Sequence, residues 1–383
     1  MPLSAATLHG LLRTERTDNM RVLYLINHAG KAGTEKYVYN LVNAYKNEKA
    51  ECFFAYNEPG LLLDQMKEMG IPTCQIEMKS PFDLKAAKKL AALCEKYKID
   101  IIHTQYPREN YVAVLSKRYR PETRVIYTCH LTLKTNLLWR ITNPIITKHD
   151  DAIISVCNNG KELLIGNGVP EEKIQVIFNG LFESDMQTDK TSTIREELGI
   201  PEDTFVAVTL ARYHIAKGLP YLVDSIAKVP EDIPFVCLIA GDGELFEEIR
   251  TKIQEMGLEK RILQLGFRKD APNLLAGSDI FINSAKCYEA LSFAILEALG
   301  AGLPVIATNI GGNGDIINPQ NDCGILVEYG DTDGMANAIT TLAKDKALCK
   351  KYSENGRRAI KNVFNLDHIL DKIYKVYEEV LEK

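Results

Sequence analysis

The chain lacks the sequence features of several protein classes. No apolar run among its 383 residues approaches the 18 or more that a helix needs to span a bilayer. Its nine cysteines include no pair at the two-residue spacing of metal or redox sites, and its histidines show no metal-ligand spacing. No basic run is interleaved with aromatic residues, so nucleic acid is not an expected partner. The scattered cysteines are typical of reduced core residues in a cytoplasmic protein.

The amino-terminal stretch lacks a hydrophobic signal core as well. We interpret residues 1–19 as a disordered leader or an upstream start. The remaining chain is longer than one hydrophobic core usually supports, which predicts two domains. The formal net charge of -5 combines a mildly basic first half with an acidic second half. A mildly basic surface is compatible with an anionic acceptor or a membrane surface.

Strand-like apolar runs alternate with amphipathic segments along both halves of the chain, which predicts two parallel sheets wrapped by helices. The nearly continuous apolar runs indicate strands that are covered on both faces. Residues 27–34 are predicted as a turn and residues 35–47 as the first helix. The predicted strands are 21–26, 51–56, 101–104, 124–128, 153–156 and 174–178 in the first half, then 205–210, 235–240, 262–265, 280–283 and 305–308.

A polar stretch after Asn179-Gly180 is interpreted as the linker between two domains. Two doubly wound sheets joined in this way place a cleft between the carboxyl ends of both sets of strands. The final amphipathic helix either caps the second domain or crosses back to the first. The predicted domains are residues 20–185 and 186–366, with that helix at 367–383.

The segment 287–308 sets two carboxylates eight positions apart. Ser292 is the predicted N-cap of a short helix, which leaves Glu289 in a loop at the helix mouth and puts Glu297 within the helix. Free amides at a helix N-terminus beside two carboxylates suit an anionic ligand that also carries hydroxyls. The alternative at this point is a surface helix with two solvated glutamates.

Cations and glycine turns follow the other predicted strands of the second half. Arg212 and Lys217 flank the loop after residues 205–210, and a planar guanidinium with a flexible ammonium suits a diphosphate. Gly241 and Phe267 lie in the turns after the next two strands, where backbone amides can meet a nucleobase or phosphate. Two ordinary solvated cations remain the alternative for Arg212 and Lys217.

Taken in order, a set of short motifs resembles the retaining glycosyltransferases of family four, which have the GT-B fold of two Rossmann-like domains. The resemblance covers nearly all of residues 20–383, and the paired glutamates followed by Gly-Leu-Pro are its most specific part. The residues that carry it are Gly33-Thr34-Glu35, His130, Asn179-Gly180, Arg212, Lys217, Gly241-Asp242-Gly243, Gly266, Glu289, Glu297 and Gly302-Leu303-Pro304.

The resemblance implies that the second domain binds most of a nucleotide-sugar donor. Arg212 and Lys217 would contact the diphosphate, Glu297 the ribose hydroxyls, and the backbone near Phe267 the base. Glu289 would hold hydroxyls of the donor sugar. The implied catalytic group is His130, Arg212, Lys217 and Glu289. The implied donor-binding group is Gly33, Arg212, Lys217, Gly241, Phe267, Glu289, Leu291, Ser292 and Glu297.

Residues from the first half are implied at the same site, and two motifs depart from the family. His130 matches the histidine that lines the sugar pocket, and Gly33 would let its loop approach the phosphate or acceptor. The chain has Ala32 where the family often has glycine, which makes that loop less flexible. Leu291-Ser292 replaces the Phe-Gly that often follows the first glutamate, which bears on the choice of sugar.

The expected activity is retaining transfer of a sugar, from a UDP-sugar in preference to a GDP-sugar, to a glycan or glycolipid hydroxyl. No metal or other cofactor is expected, because Asp331-Thr332-Asp333 is interpreted as a helix N-cap. A nucleotide-sugar 2-epimerase and a non-enzymatic sensor are the alternatives. The expected location is cytoplasmic, with peripheral contact at the inner membrane surface as an option, although Trp139 is assigned to core packing.

Overall fold

The structure, a computed structural model, describes residues 19–46, 48–130, 137–186, 191–287 and 289–383. The predicted leader lies outside the described residues except for Asn19. The chain divides into two compact units between Tyr127 and Thr128, and the domain boundary after Asp185 stays a prediction. Among the described residues, no helix combines the length and apolar character that crossing a membrane requires.

The first sheet has seven strands in the order β3-β2-β1-β4-β5-β6-β7. Its β1 strand pairs in parallel with β2 and with β4, and its central residues are fully buried because helices cover the sheet. The strands are β1 Met20–His28, β2 Ala50–Glu58, β3 Thr73–Gln75, β4 Ile101–Thr104, β5 Arg124–Cys129, β6 Ala152–Ser155 and β7 Ile174–Val176. The helices are α1 Gly33–Tyr45, α2 Leu61–Glu68, α3 Leu84–Tyr97, α4 Pro107–Ser116, α5 Leu137–Thr147 and α6 Asn158–Gly166.

The second sheet has six parallel strands in the order β10-β9-β8-β11-β12-β13. These strands are β8 Phe205–Leu210, β9 Phe235–Ala240, β10 Ile262–Gly266, β11 Ile280–Asn283, β12 Val305–Thr308 and β13 Gly324–Val327. The helices around them are α7 Ile194–Glu197, α8 Leu219–Ile226, α9 Phe246–Glu255, α10 Ala271–Ala276, α11 Phe293–Gly300, α12 Asn313–Ile316, α13 Thr332–Lys344, α14 Lys346–Asn362 and α15 Leu366–Glu382.

Two hydrophobic cores cover the two faces of the second sheet. Val206 and Val208 of β8 point into one core, and Ala207 between them points into the other, as the alternation of a strand requires. The strand order reverses between β8 and β11, so the connections that follow these two strands leave in opposite directions. This reversal opens a crevice at their carboxyl ends, which is where open parallel sheets bind ligands.

The predicted bounds of β8, β9, β11 and β12 are confirmed to the residue, because each is a short and mostly buried apolar run with strand-breaking or polar residues around it. The first helix begins at Gly33 instead of residue 35, so that prediction was wrong by half a turn. Ala32 is extended, with φ of -152°, and serves as the N-cap position. Gly33 is therefore the first residue of the helix and not part of the preceding turn, while its approach to a phosphate or acceptor stays a prediction.

After the second sheet, the chain returns to a segment near the middle of the sequence. The amide of Leu181 donates to the carbonyl of Phe364 at 2.9 Å, and the amide of Leu366 donates back to the carbonyl of Leu181 at 3.0 Å. A Cβ on Gly180 would lie 2.6 Å from Ile369 Cδ1. The start of α15 thus packs directly on the segment that precedes the predicted linker.

Candidate active site

The connection after β8 is fixed against the end of β11. It forms one 3-10 turn, Ile215–Lys217, and then Gly218 adopts a φ of +64°. A Cβ at Gly218 would lie 2.1 Å from the carbonyl oxygen of Ser284, so only glycine fits this close approach. The hydroxyl of Ser284 donates to the carbonyl of Lys217 at 2.9 Å. Lys217 is therefore held at the crevice between β8 and β11.

Lys217 forms an ion pair with Glu289 at this crevice. Its ammonium donates a hydrogen bond to Glu289 Oε1. The Glu289 side chain is only 8% exposed and that of Lys217 is 34% exposed. A carboxylate taken so far out of water requires a cationic partner or hydrogen-bond donors. The structure thus brings together two predicted site residues that lie 72 positions apart.

A cavity of about 40 Å³ adjoins the Lys217–Glu289 pair. Its lining includes these two side chains, Ser292 and the ends of β8 and β11. This volume holds on the order of three water-sized groups. A hydroxyl or a phosphate oxygen therefore fits beside the carboxylate in this conformation.

The helix after Glu289 begins where it was predicted to begin, but the side chain of its serine does not cap it. Ser292 is the N-cap of α11 by backbone position, yet its hydroxyl makes no capping bond and instead accepts from Asn283 Nδ2 at 3.4 Å. Ser292 and Ala294, at the amino end of α11, both line the cavity beside Glu289. Leu291 and Ser292 are buried, and Glu297 is half-buried on α11.

Arg212 lies nearer to solvent. Its side chain is 73% exposed, and Nη2 lies 3.9 Å from Glu244 Oε2. Glu244 Oε1 lies 3.6 Å from Nε2 of His214. Because this ion pair is long and exposed, the guanidinium can exchange Glu244 for a more highly charged anion at little cost. Its predicted contact with a diphosphate stays a prediction.

The residues assigned to the base follow the two neighbouring strands. Gly241, directly after β9, donates its amide to the carbonyl of Gly266 at 2.8 Å. Phe267 follows Gly266 and is 57% exposed. These residues border the same carboxyl edge of the second sheet.

His130 and Gly33 belong to the first sheet and are described within their own surroundings. His130 follows β5 and is buried, and burial lowers the pKa of its imidazole to about 3. It is therefore neutral at physiological pH and can act as a hydrogen-bonding group. Gly33 occupies the first turn of α1.

The described residues contain no cluster of three or more histidine, cysteine or acidic side chains suited to a metal ion. Asp331 is the N-cap of α13 and accepts from the amide of Gly334 at 2.8 Å. Asp333 pairs with Lys228 at 2.8 Å. The N-cap interpretation of the Asp331-Thr332-Asp333 motif is confirmed.

Comparison with known proteins places this site in a family. A model described as Glycosyl transferases group 1 matches residues 190–359, and one described as Glycosyltransferase Family 4 matches residues 32–182. The chain is 30% identical over 353 residues to UDP-Gal:alpha-D-GlcNAc-diphosphoundecaprenol alpha-1,3-galactosyltransferase of Escherichia coli, which covers 88% of this chain and 90% of that protein. The chain belongs to glycosyltransferase family four.

A second relative is similar in sequence, and a solved structure is similar in fold. The chain is 27% identical over 314 residues to N-acetyl-alpha-D-glucosaminyl L-malate synthase of Bacillus anthracis, covering 79% of this chain and 80% of that protein. The crystal structure of Anabaena Alr3699/HepE in complex with UDP superposes with a TM-score of 0.84, at 21% identity, over 94% of this chain and 100% of that one. The predicted GT-B fold is confirmed.

Several residues at the candidate site of this family-four glycosyltransferase were not predicted from the sequence. Glu244 lies near both Arg212 and His214, and Asn283 donates a hydrogen bond to the hydroxyl of Ser292. Glu244 directly follows the Gly-Asp-Gly turn after β9, and this turn could have indicated it as a candidate. Asn283 ends a buried strand and carries no pattern of its own.

Proposed function

We propose that this family-four glycosyltransferase moves a sugar from a UDP-sugar to a hydroxyl of a glycan or glycolipid, with retention of anomeric configuration. The observation that carries the proposal is the buried Glu289 side chain, paired with Lys217 near the N-terminus of α11. The Escherichia coli relative is named for a UDP-Gal donor and a GlcNAc-diphosphoundecaprenol acceptor. That name supports a UDP-sugar and a glycolipid here.

In the proposed mechanism, the bond between sugar and phosphate breaks while negative charge develops on the departing diphosphate. Lys217, Arg212 and the positive end of the α11 helix dipole stabilise that charge, which makes a metal ion unnecessary. Glu289, released from Lys217 by the diphosphate, accepts hydrogen bonds from hydroxyls of the sugar. The acceptor hydroxyl attacks from the face that the phosphate leaves, and a phosphate oxygen takes its proton.

The other predicted residues complete the donor site in this proposal. Glu297 holds the ribose hydroxyls, and backbone groups near Gly241 and Phe267 meet the uracil. His130, which is neutral because it is buried, contributes a hydrogen bond at the sugar pocket. Leu291-Ser292 lies next to Glu289 and contributes to the choice of sugar.

A panel of nucleotide sugars tests the proposal. We expect UDP-galactose, UDP-glucose or UDP-N-acetylglucosamine to release UDP slowly in the presence of EDTA, and faster once a suitable acceptor is added. Proton NMR of the sugar separates the alternatives, because a 2-epimerase inverts C2 of the sugar without an acceptor and without a change of mass. Binding without turnover of any sugar would instead favour a sensor, and release only with added Mg²⁺ contradicts the metal-free mechanism.

A glycolipid acceptor requires contact with a membrane surface, and α5 offers a face for it. Leu137, Ile141 and Ile145 are spaced four residues apart on α5 and are 71%, 56% and 55% exposed. Arg140 and Lys148 are exposed beside this apolar stripe. An apolar stripe flanked by cations suits the surface of an anionic bilayer. Trp139 is only half-buried, so core packing does not account for all of it.

Vesicle sedimentation tests this contact. We expect the protein to bind vesicles of phosphatidylglycerol and phosphatidylcholine, and to bind pure phosphatidylcholine weakly. Ile141→Glu should reduce binding at least fivefold, because it places a charge in the centre of the stripe. Leu61→Glu, which replaces an exposed leucine on α2, serves as the control. Equal binding by both variants would remove α5 from the proposal.

A further inference from the structure

The connection between β12 and α12, residues 309–312, lies directly against the backbone of the Glu289 loop. The amide of Gly312 donates to the carbonyl of Ala290 at 2.7 Å. Gly311 has a φ of +58°, and a Cβ there would lie 1.7 Å from the carbonyl oxygen of Glu289. No side chain fits between these backbones. The position of residues 311 and 312 therefore sets the position of Glu289.

The same connection is held on its other side by the start of α6. A Cβ on Gly312 would lie 2.8 Å from Cys157 Cβ, and Cys157 precedes α6. One turn further along, Asp315 of α12 accepts two hydrogen bonds from Asn158, each of 2.7 Å, one from its backbone amide and one from its side-chain amide. The short connection thus lies between Glu289 and the amino end of α6.

The carboxylate of Asp315 lies in a favourable electrostatic field at the amino end of α6. It accepts from the first amide of α6, where the unpaired amides and the helix dipole favour negative charge. The thiol of Cys157, the N-cap residue, accepts from the amide of Gly160 at 3.2 Å in the same first turn of the helix. The Asp315–Asn158 pair is exposed, so its removal leaves the hydrophobic cores intact.

We propose that Asp315 is a positioning residue, which fixes Glu289 by holding α12 and the Gly311-Gly312 connection against the amino end of α6. Glu289 meets the donor sugar only if the proposed function is correct, so the consequence for sugar binding rests on that proposal. The mechanical link itself does not depend on it. A displacement of α6 would then alter contacts with the sugar and spare those with the nucleotide.

Hydrogen exchange of the protein alone tests the mechanical link. In Asp315→Ala, the amides of residues 289–293 should exchange about tenfold faster than in the wild type, while the melting temperature stays within about 2 °C. Asp315→Asn keeps one acceptor for the Asn158 amide and should restore part of the protection. Asp333→Ala, which breaks an exposed pair with Lys228 elsewhere, should leave these amides unchanged. Unchanged exchange in Asp315→Ala would refute the proposal.

Calorimetry with UDP and UDP-galactose tests the consequence for the sugar. We expect Asp315→Ala to weaken UDP-galactose binding five- to tenfold and to leave UDP binding within twofold. Equal weakening of both ligands would contradict a route through Glu289. If the wild type binds neither ligand, the proposed function fails, and the exchange experiment still decides whether Asp315 positions Glu289.

Discussion

Replacing Lys217 with alanine is expected to lower the rate of UDP release from the nucleotide sugar by about 100- to 1000-fold. This is the usual loss when one preorganised group that faces developing negative charge is removed. The same substitution leaves Glu289, which is 8% exposed, without its cation. Lys217→Ala should therefore also lower the melting temperature, because an unpaired carboxylate in a nearly buried position is unfavourable.

A double variant separates these two effects. Glu289→Gln removes the charge that Lys217→Ala leaves unpaired, so the combination should recover most of the lost melting temperature without recovering activity. Arg212→Ala offers a matched contrast, because its side chain is 73% exposed. It should weaken UDP binding about tenfold or more, at unchanged melting temperature. Full activity in Lys217→Ala, measured by UDP release, would remove this residue from the mechanism.

Replacing Glu109 with glutamine is expected to stabilise the protein at alkaline pH. Glu109 lies in α4, is fully buried, and has an unpartnered Oε2 atom, while Oε1 accepts from the amide of Asn27 at 3.3 Å. Burial raises the pKa of this carboxyl to about 8, against the smaller opposing effects of the Asn27 amide and the Arg108 guanidinium. The phenol of Tyr106 lies near the same carboxyl.

The direction of the pH effect follows from this raised pKa. The folded protein retains the proton on Glu109 up to about pH 8, while the unfolded chain loses it near the ordinary value of 4.5. The stability that Glu109 contributes is therefore fully present below about pH 4.5 and is lost as the pH rises to 8. The full loss is on the order of 5 kcal/mol.

Chemical denaturation at pH 5 and pH 9 measures this effect. Glu109→Gln should be more stable than the wild type at pH 9 and equal to it or slightly less stable at pH 5. Glu68→Gln, at an exposed position on α2, should show no such crossover. A stability difference between Glu109→Gln and the wild type that does not change with pH would mean that Glu109 does not titrate in this range.

The sequence predicted most strands because burial on both faces makes them continuous apolar runs. β3 was missed because its three residues, Thr73–Gln75, are only partly buried and show no pattern. The composition of Gly33-Thr34 is typical of a turn. In the structure the preceding residue, Ala32, is extended and serves as the N-cap position, so this pair begins the helix. Local sequence does not encode such a tertiary choice of helix boundary.

The sequence named candidate site residues, but it did not predict which of them contact one another. The resemblance assigned separate tasks to Lys217 and Glu289, and the structure pairs them directly. Their proximity arises because the strand order reverses between β8 and β11, and no local sequence pattern predicts this reversal. Glu109 and Asp315 were missed for the same reason, since each acquires its significance from residues distant in sequence.

The return of the chain to Leu181 makes the second sheet an insertion in topological terms. Leu181 hydrogen-bonds with both Phe364 and Leu366, so the segment 182–363 begins and ends at one place. A different segment could therefore be exchanged between these two points without redirecting the flanking chain. Such an exchange would replace the whole second sheet, while the strands of the first sheet and the final helix keep their path in the sequence.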